Sequence, residues 1–301
     1  MPAGIAEGMA RAGFRAMGTR ARCIGPAGHG AFEPAVAHVR ATFEREELRF
    51  SRFRGDSELS RVNAAAGSWT TVSPPFAELV AFALAAWEQT DGRFDPTLLG
   101  AMVAAGYDRD FDEILAGARV ELHAGKPAGG AGDVRLDGRR LRLPNGVALD
   151  LGGVAKGWTV DRAARAALEA GLPWALIEAG GDLRLDGEPP VGGLEVAVED
   201  PESSDTDVGR IVLEDGALAT SSVTRRAWGP GLHHLIDPAT GAPSTGPVLQ
   251  ATVWAPTCAD AEIASKDALL GAEQSMDRGP ALLVLRDGRI VTNIDRVEAA
   301  A

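Results

Sequence analysis

The chain has 301 residues, 45% of them hydrophobic and 24% charged, a balance typical of globular proteins that excludes a disordered or fibrous chain. Thirty basic residues against 42 acidic ones give a formal net charge of -12, which repels a phosphate backbone, so no nucleic-acid partner is expected and an anionic ligand needs a local positive site. Two cysteines, Cys23 and Cys258, make neither a disulfide framework nor a C-x-x-C metal pair, and no apolar run reaches the roughly 18 residues of a membrane helix, so a cytoplasmic protein without a membrane partner is expected.

The first residues are short of leucine and include Glu7 and Arg11, which argues against a signal peptide. Residues 1–16 are set apart as a flexible N-terminal segment, 17–295 as one domain and 296–301 as a tail. Residues 35–50 carry apolar side chains at helical spacing with charges between them, and predict an amphipathic helix. A second is predicted over 73–90, opened by Pro74 and Pro75, with Phe76, Leu79, Val80, Phe82 and Ala83 at its apolar positions. Between 125 and 149 the pattern alternates around Leu136 and Leu141, and the Asp137-Gly138 and Asn145-Gly146 dipeptides, which tolerate positive φ, signal hairpin turns. A helix follows over 156–170, ended by Gly171, then a strand over 175–179 and a turn at Gly180-Gly181-Asp182. Further strands are predicted over 194–198, 211–213, 249–254 and 281–285, with an exposed polar loop over 199–207. Hairpins and separated helices together predict an α+β fold with mixed or antiparallel sheets, not a doubly wound parallel sheet.

The most informative run is VALDLGGVAKGW at 147–158, read as an apolar strand that enters a Gly-Gly turn and opens a helix at Lys156. That order aims backbone N–H groups and an ammonium at one point, which suits a pyrophosphate. The structural alternative is a plain strand-to-helix turn with a solvated lysine. In HHLIDPATG at 233–241, Asp237-Pro238 starts a turn and Gly241 closes it. His234 there can act as a base or orient a phosphate; alternatively Asp237 caps its own turn and the histidines are surface polar groups. The runs SRFRGDSELSRVN at 51–63 and TDGRFDPT at 90–97 read by themselves as loops, with Asp56 or Ser57 capping a helix and a turn at Asp95.

Taken in order, Met17-Gly18-Thr19, 51–63, 92–97, 150–157 with Asp161, Gly180-Gly181-Asp182, Ala219-Thr220-Ser221 and 234–241 resemble the FAD:protein FMN transferase (ApbE) family over nearly the whole chain. The resemblance implies an ApbE-like fold and a transferase that cleaves the FAD pyrophosphate with a divalent cation, usually magnesium, and leaves FMN as a phosphoester on a serine or threonine of an acceptor protein. It implies FAD contacts at Met17, Gly18, Thr19, Phe94, Asp95, Pro96, Thr97, Asp150, Gly153, Lys156, Asp182, Ser221 and His234. It makes His234 and Asp237 the catalytic pair, with His234 assisting deprotonation, and puts metal ligands at the Ala155 carbonyl and at Asp260 or Glu262. It also admits an FAD pyrophosphatase giving FMN and AMP, or a flavin-binding protein without catalysis.

Two segments depart from the family pattern. The family has Ala-Asp followed four residues later by threonine; here ADAEIASKDALLG at 259–271 places Ala264 four after Asp260, and the best register puts Glu262 on the aspartate and Lys266 on the threonine position. Either Glu262 and Lys266 form an i,i+4 ion pair on an exposed helix face, or the Lys266 ammonium replaces part of the metal's charge. In SSVTRRAW at 221–228, Arg225 and Arg226 stand where an acidic residue is common, which bears on acceptor choice or phosphate contacts. Nothing in the sequence names the acceptor or gives an oligomeric interface.

Overall fold

Two units make up the chain in the computed structural model, residues 1–44, 156–225 and 246–301 forming one and 45–155 with 226–245 the other. The structure describes residues 8–117, 129–203, 205–295 and 297–299.

The first unit is built on an eight-stranded sheet in the order Met9–Ala16, Thr19–Pro26, Trp174–Ala179, Asp182–Gly187, Gly216–Ser222, Val248–Ala255, Ala281–Leu285 and Ile290–Thr292. Every neighbouring pair is antiparallel. Two of its hairpins have two-residue turns with both central φ angles positive, Met17 (49°) with Gly18 (67°) and Gly180 (60°) with Gly181 (96°). Such turns match the right-handed twist of the strands they join. Met17 is the only one of these four that is not glycine, so it bears the steric cost of that region.

One face of the sheet is covered by helices. Ala35, Val36, Val39 and Phe43 of the helix Phe32–Phe50, and Val160, Ala163, Ala164 and Ala167 of the helix Ala155–Glu169, pack with Cys258 and Ala261 of the helix Cys258–Gly271 on Ala21, Cys23, Ile177 and Ala219. The small side chains let backbones approach closely. A Cβ on Gly157 would lie 2.5 Å from the Cys258 carbonyl oxygen, so only glycine fits where those two helices touch. The other face packs Trp174, Leu176, Leu185 and Leu218 against Leu194, Val198, Ile211 and Leu213 of a second sheet, ordered Val297–Ala299, Asp207–Leu213, Leu194–Glu199.

The second unit holds the helices Glu58–Ala64, Pro74–Gln89, Leu99–Ala104 and Phe111–Leu115. It also holds a three-stranded sheet ordered Trp69–Thr71, Arg140–Arg142, Arg135–Asp137 and two small hairpins within 227–243. Ser57 caps its helix as foreseen, its side chain accepting from the Ser60 N–H at 3.0 Å.

The α+β class is as expected, and the long helices fall within a few residues of their predicted spans. Three expectations change. Residues 9–16, set apart as flexible, are a sheet strand paired residue for residue with 19–26, and Val297–Ala299 in the expected tail pairs with Asp207–Leu213. The run at 147–150 is not a strand: its hydrogen bonds go to a side chain and a loop, as described below. Part of the alternating region, residues 125–128, lies outside the described residues.

Candidate functional site

The candidate residues fall into two constellations, one in each unit. In the second unit, Asn63 at the end of its helix takes the place of a strand partner: its amide accepts from the Leu149 N–H at 2.8 Å and donates to the Leu149 carbonyl at 2.9 Å. The next N–H, of Asp150, donates to the Pro96 carbonyl at 2.8 Å, which aligns the 94–97 loop with the start of the Gly-Gly turn. That loop is stiffened by Asp95, whose buried carboxylate accepts from the Thr97 N–H at 2.7 Å and its hydroxyl at 2.5 Å. Gly153 sits in the turn that the Val154 and Ala155 N–H groups close onto the Leu151 carbonyl.

Asp150 accepts from the Gly152 N–H at 2.7 Å and faces Arg52 Nε at 3.2 Å, both side chains being 8% exposed. Arg52, which sequence reading passed over, also donates to the Tyr107 carbonyl at 2.8 Å and lies over the rings of Phe53 and Tyr107. Burial pushes the Tyr107 hydroxyl above its ordinary value, against the pull of Arg226 and Arg52. The only cue to Arg52 in the sequence was its place inside a loop motif.

His234 is half-buried, with Nδ1 3.4 Å from the Arg226 carbonyl oxygen, to which its backbone N–H also donates at 3.3 Å. Asp237 shapes the following turn: its carboxylate accepts from the Ala239 N–H at 2.9 Å and its carbonyl from the Gly241 N–H at 2.8 Å. Arg225, in the first unit, pairs with Glu199 at 2.7 Å.

In the first unit the two hairpin turns lie side by side, Thr19 against Gly180, where an added Cβ would come within 2.7 Å of the threonine hydroxyl. Asp182, next to the second turn, pairs with the Lys156 ammonium. Lys156 also reaches Glu262 Oε1 at 3.2 Å, while Glu262 Oε2 accepts from the Gly157 N–H at 2.8 Å. Lys266 completes the cluster, 3.5 Å from Glu262 Oε1 and donating to the Glu262 carbonyl at 3.1 Å. Ser265 donates to that same carbonyl at 3.0 Å, so in its 2.8 Å contact with Ser221 the Ser221 hydroxyl is the donor.

The i,i+4 pair of Glu262 and Lys266 thus forms, but not on an exposed face: Glu262 is 2% and Lys266 17% exposed, and Lys156 and Asp182 are 15% and 1% exposed. Burial works to raise the Glu262 carboxyl, but Lys156, Lys266 and the Gly157 N–H hold it below its ordinary value. Asp260 points elsewhere. It is exposed in the first turn of its helix, its carboxylate accepting from the hydroxyl of the capping Thr257 at 2.5 Å. Ala155 opens the helix one residue before Lys156.

These donors do not fit a divalent ion at Glu262. Both carboxylate oxygens already receive N–H or ammonium partners, and a metal there would stand beside two fixed positive charges. Among the described residues no group of three or more His, Cys, Asp or Glu side chains is placed to hold a metal.

The sequence model of the ApbE family matches residues 17–282. The chain is 30% identical over 269 residues to the FAD:protein FMN transferase of Treponema pallidum, covering 80% of this chain and 72% of that protein. It is 30% identical over 246 residues to the protein of the same name from Vibrio cholerae, covering 76% and 71%. Among solved structures it is similar to the ApbE protein of Thermotoga maritima, with a TM-score of 0.85 at 26% identity over 94% of this chain and 96% of that one. It is similar also to the flavin transferase ApbE of Vibrio cholerae, with a TM-score of 0.79 at 25% identity over 97% of each chain.

Proposed function

Since the chain belongs to the ApbE family, we propose that it is an FAD:protein FMN transferase, moving the FMN half of FAD onto a serine or threonine of an acceptor protein. The observation that carries this reading is the helix start at Ala155–Gly157, where a backbone N–H and two ammoniums converge beside the Gly180-Gly181 turn. Such a convergence suits a pyrophosphate.

In this reading the acceptor hydroxyl oxygen attacks the phosphorus on the FMN side of the pyrophosphate in line. The bond from that phosphorus to the bridging oxygen breaks, and AMP leaves with the electron pair on its phosphate oxygen. The hydroxyl proton goes to a base, the role proposed for His234, whose loop is shaped by the Asp237 turn. Lys156, with Asp182 positioning it, offsets pyrophosphate charge; Ser221 and the Met17-Gly18-Thr19 turn are proposed as further FAD contacts. Phe94 to Thr97, Asp150 and Gly153 keep the same proposed role in their own unit. No helix among the described residues is long and apolar enough to cross a membrane. A cytoplasmic setting belongs to this proposal, one in which the free, buried Cys23 and Cys258 stay reduced.

The test is to incubate the purified protein with FAD and a candidate acceptor, with and without magnesium. Flavin covalently attached to the acceptor, with AMP released, is the expected result. Free FMN and AMP identify a pyrophosphatase, and unchanged FAD with intact binding identifies a flavin-binding protein.

A further inference from the structure

Two carboxylates, Asp182 and Glu262, sit against Lys156 and are 1% and 2% exposed. With Lys156 alone that group would carry a net negative charge and repel a pyrophosphate. Lys266 brings it to neutrality: one turn on from Glu262, its ammonium reaches both the carboxylate and the carbonyl of that residue. Ser265 donates to the same carbonyl and in turn accepts from Ser221, so the carbonyl that anchors Lys266 is itself fixed. A surface lysine of the usual kind is a mobile point charge with a large rotamer entropy; this one is pre-positioned.

On the reading of the chain as an FMN transferase, we propose that the Lys266 ammonium is a built-in cation for the FAD pyrophosphate. It occupies the place where a divalent ion would ligate Glu262, so that FAD binding and FMN transfer proceed without an added divalent ion. During transfer, Lys156 and Lys266 together face the charge that gathers on the transferred phosphoryl group and on departing AMP. Neither lysine forms or breaks a bond. A monovalent donor polarises less than magnesium, but it needs no oxygen ligands, and its own charge is what keeps a second cation away.

The experiment has two readouts that do not depend on transfer. Manganese binding is followed by the electron paramagnetic resonance of the free ion, and FAD binding by flavin fluorescence, in EDTA and in magnesium, for the native chain and three variants. The native chain is expected to bind FAD equally in EDTA and in magnesium and to show no saturable manganese site. Lys266→Met is expected to weaken FAD about tenfold or more in EDTA, and Lys266→Arg, which keeps the charge, to retain most of the affinity. Glu262→Asp with Lys266→Thr is expected to acquire a manganese site and a magnesium-dependent FAD affinity. Tight manganese binding by the native chain, FAD binding that requires magnesium, or Lys266→Met behaving as native would overturn the cation role while leaving the transferase reading intact. Failure of the native chain to bind FAD in either condition would overturn both.

Discussion

His234 and Lys156 are the residues at which chemistry was most legible from the chain, and they fare differently in three dimensions. Lys156 stood out because a strongly acidic protein with an anionic ligand makes any local positive group conspicuous, and a helix start after a Gly-Gly turn gives it a direction. What the sequence withheld is that Asp182 and Glu262 already claim its ammonium, a pairing set by residues 26 and 106 positions away. His234 rests on the Arg226 carbonyl, which favours a tautomer with the proton on Nδ1 and leaves Nε2 as the nitrogen able to accept a proton. Replacing it with alanine is expected to leave FAD binding within about twofold of native and to slow transfer about 10²-fold or more in a single turnover. A single-turnover rate equal to native would remove His234 from the chemistry.

At the scale of elements, the crossing of the helices Ala155–Glu169 and Cys258–Gly271 brings the lysine cluster together, and Asp161 is its clasp. From the first helix it accepts the Cys258 and Ala259 N–H groups of the second at 2.8 and 3.0 Å, donors that otherwise go unsatisfied at a helix start. Asp161→Ala is therefore expected to cost about 1–2 kcal/mol in denaturant unfolding, whereas Asp161→Asn keeps an acceptor and costs less. Burial pushes the Asp161 carboxyl from its ordinary 3.8 to about 6, even against those two hydrogen bonds. The folded chain then holds that proton where the unfolded chain has lost it, so the stability it contributes is full below the unfolded value and is lost as pH rises through about 6. Glu262, held low, acts in the opposite sense, its contribution being lost as pH falls. The difference between native and Asp161→Asn midpoints is expected to change over roughly pH 4 to 6 and to be flat above it; a flat difference throughout would show that the carboxyl titrates normally.

Over the whole molecule the net charge of -12 opposes any phosphate ligand at long range, so affinity for FAD has to come from the few fixed donors of the cluster. A pyrophosphate offers those donors more acceptor oxygens than a single phosphate. FAD is accordingly expected to bind non-covalently and about tenfold more tightly than FMN, a difference of about 1.4 kcal/mol by calorimetry. Equal affinities would move the pyrophosphate away from Lys156. Because the repulsion is long-range and the cluster's contacts are short, added salt is expected to speed FAD association.

By itself, the sequence determined what is local. Helical spacing and proline or glycine at the ends located the helices Pro74–Gln89 and Ala155–Glu169, and glycine pairs located the turn at Gly180-Gly181, because these depend on neighbours within a few residues. The order of its motifs was likewise enough to identify the family. Tertiary structure decided what depends on distant partners. The strand Met9–Ala16, rich in alanine and arginine, has little strand preference of its own and is held by pairing with Thr19–Pro26. Leu149 is tied down by Asn63, 86 residues earlier, where the sequence suggested an ordinary strand. Spacing put Glu262 and Lys266 on one side of a helix, but that helix is buried on nearly every side, polar positions included, so its own pattern could not say which face met solvent. Only the arrival of Lys156 and Gly157 turned an ordinary surface ion pair into a buried cluster of two ammoniums and two carboxylates.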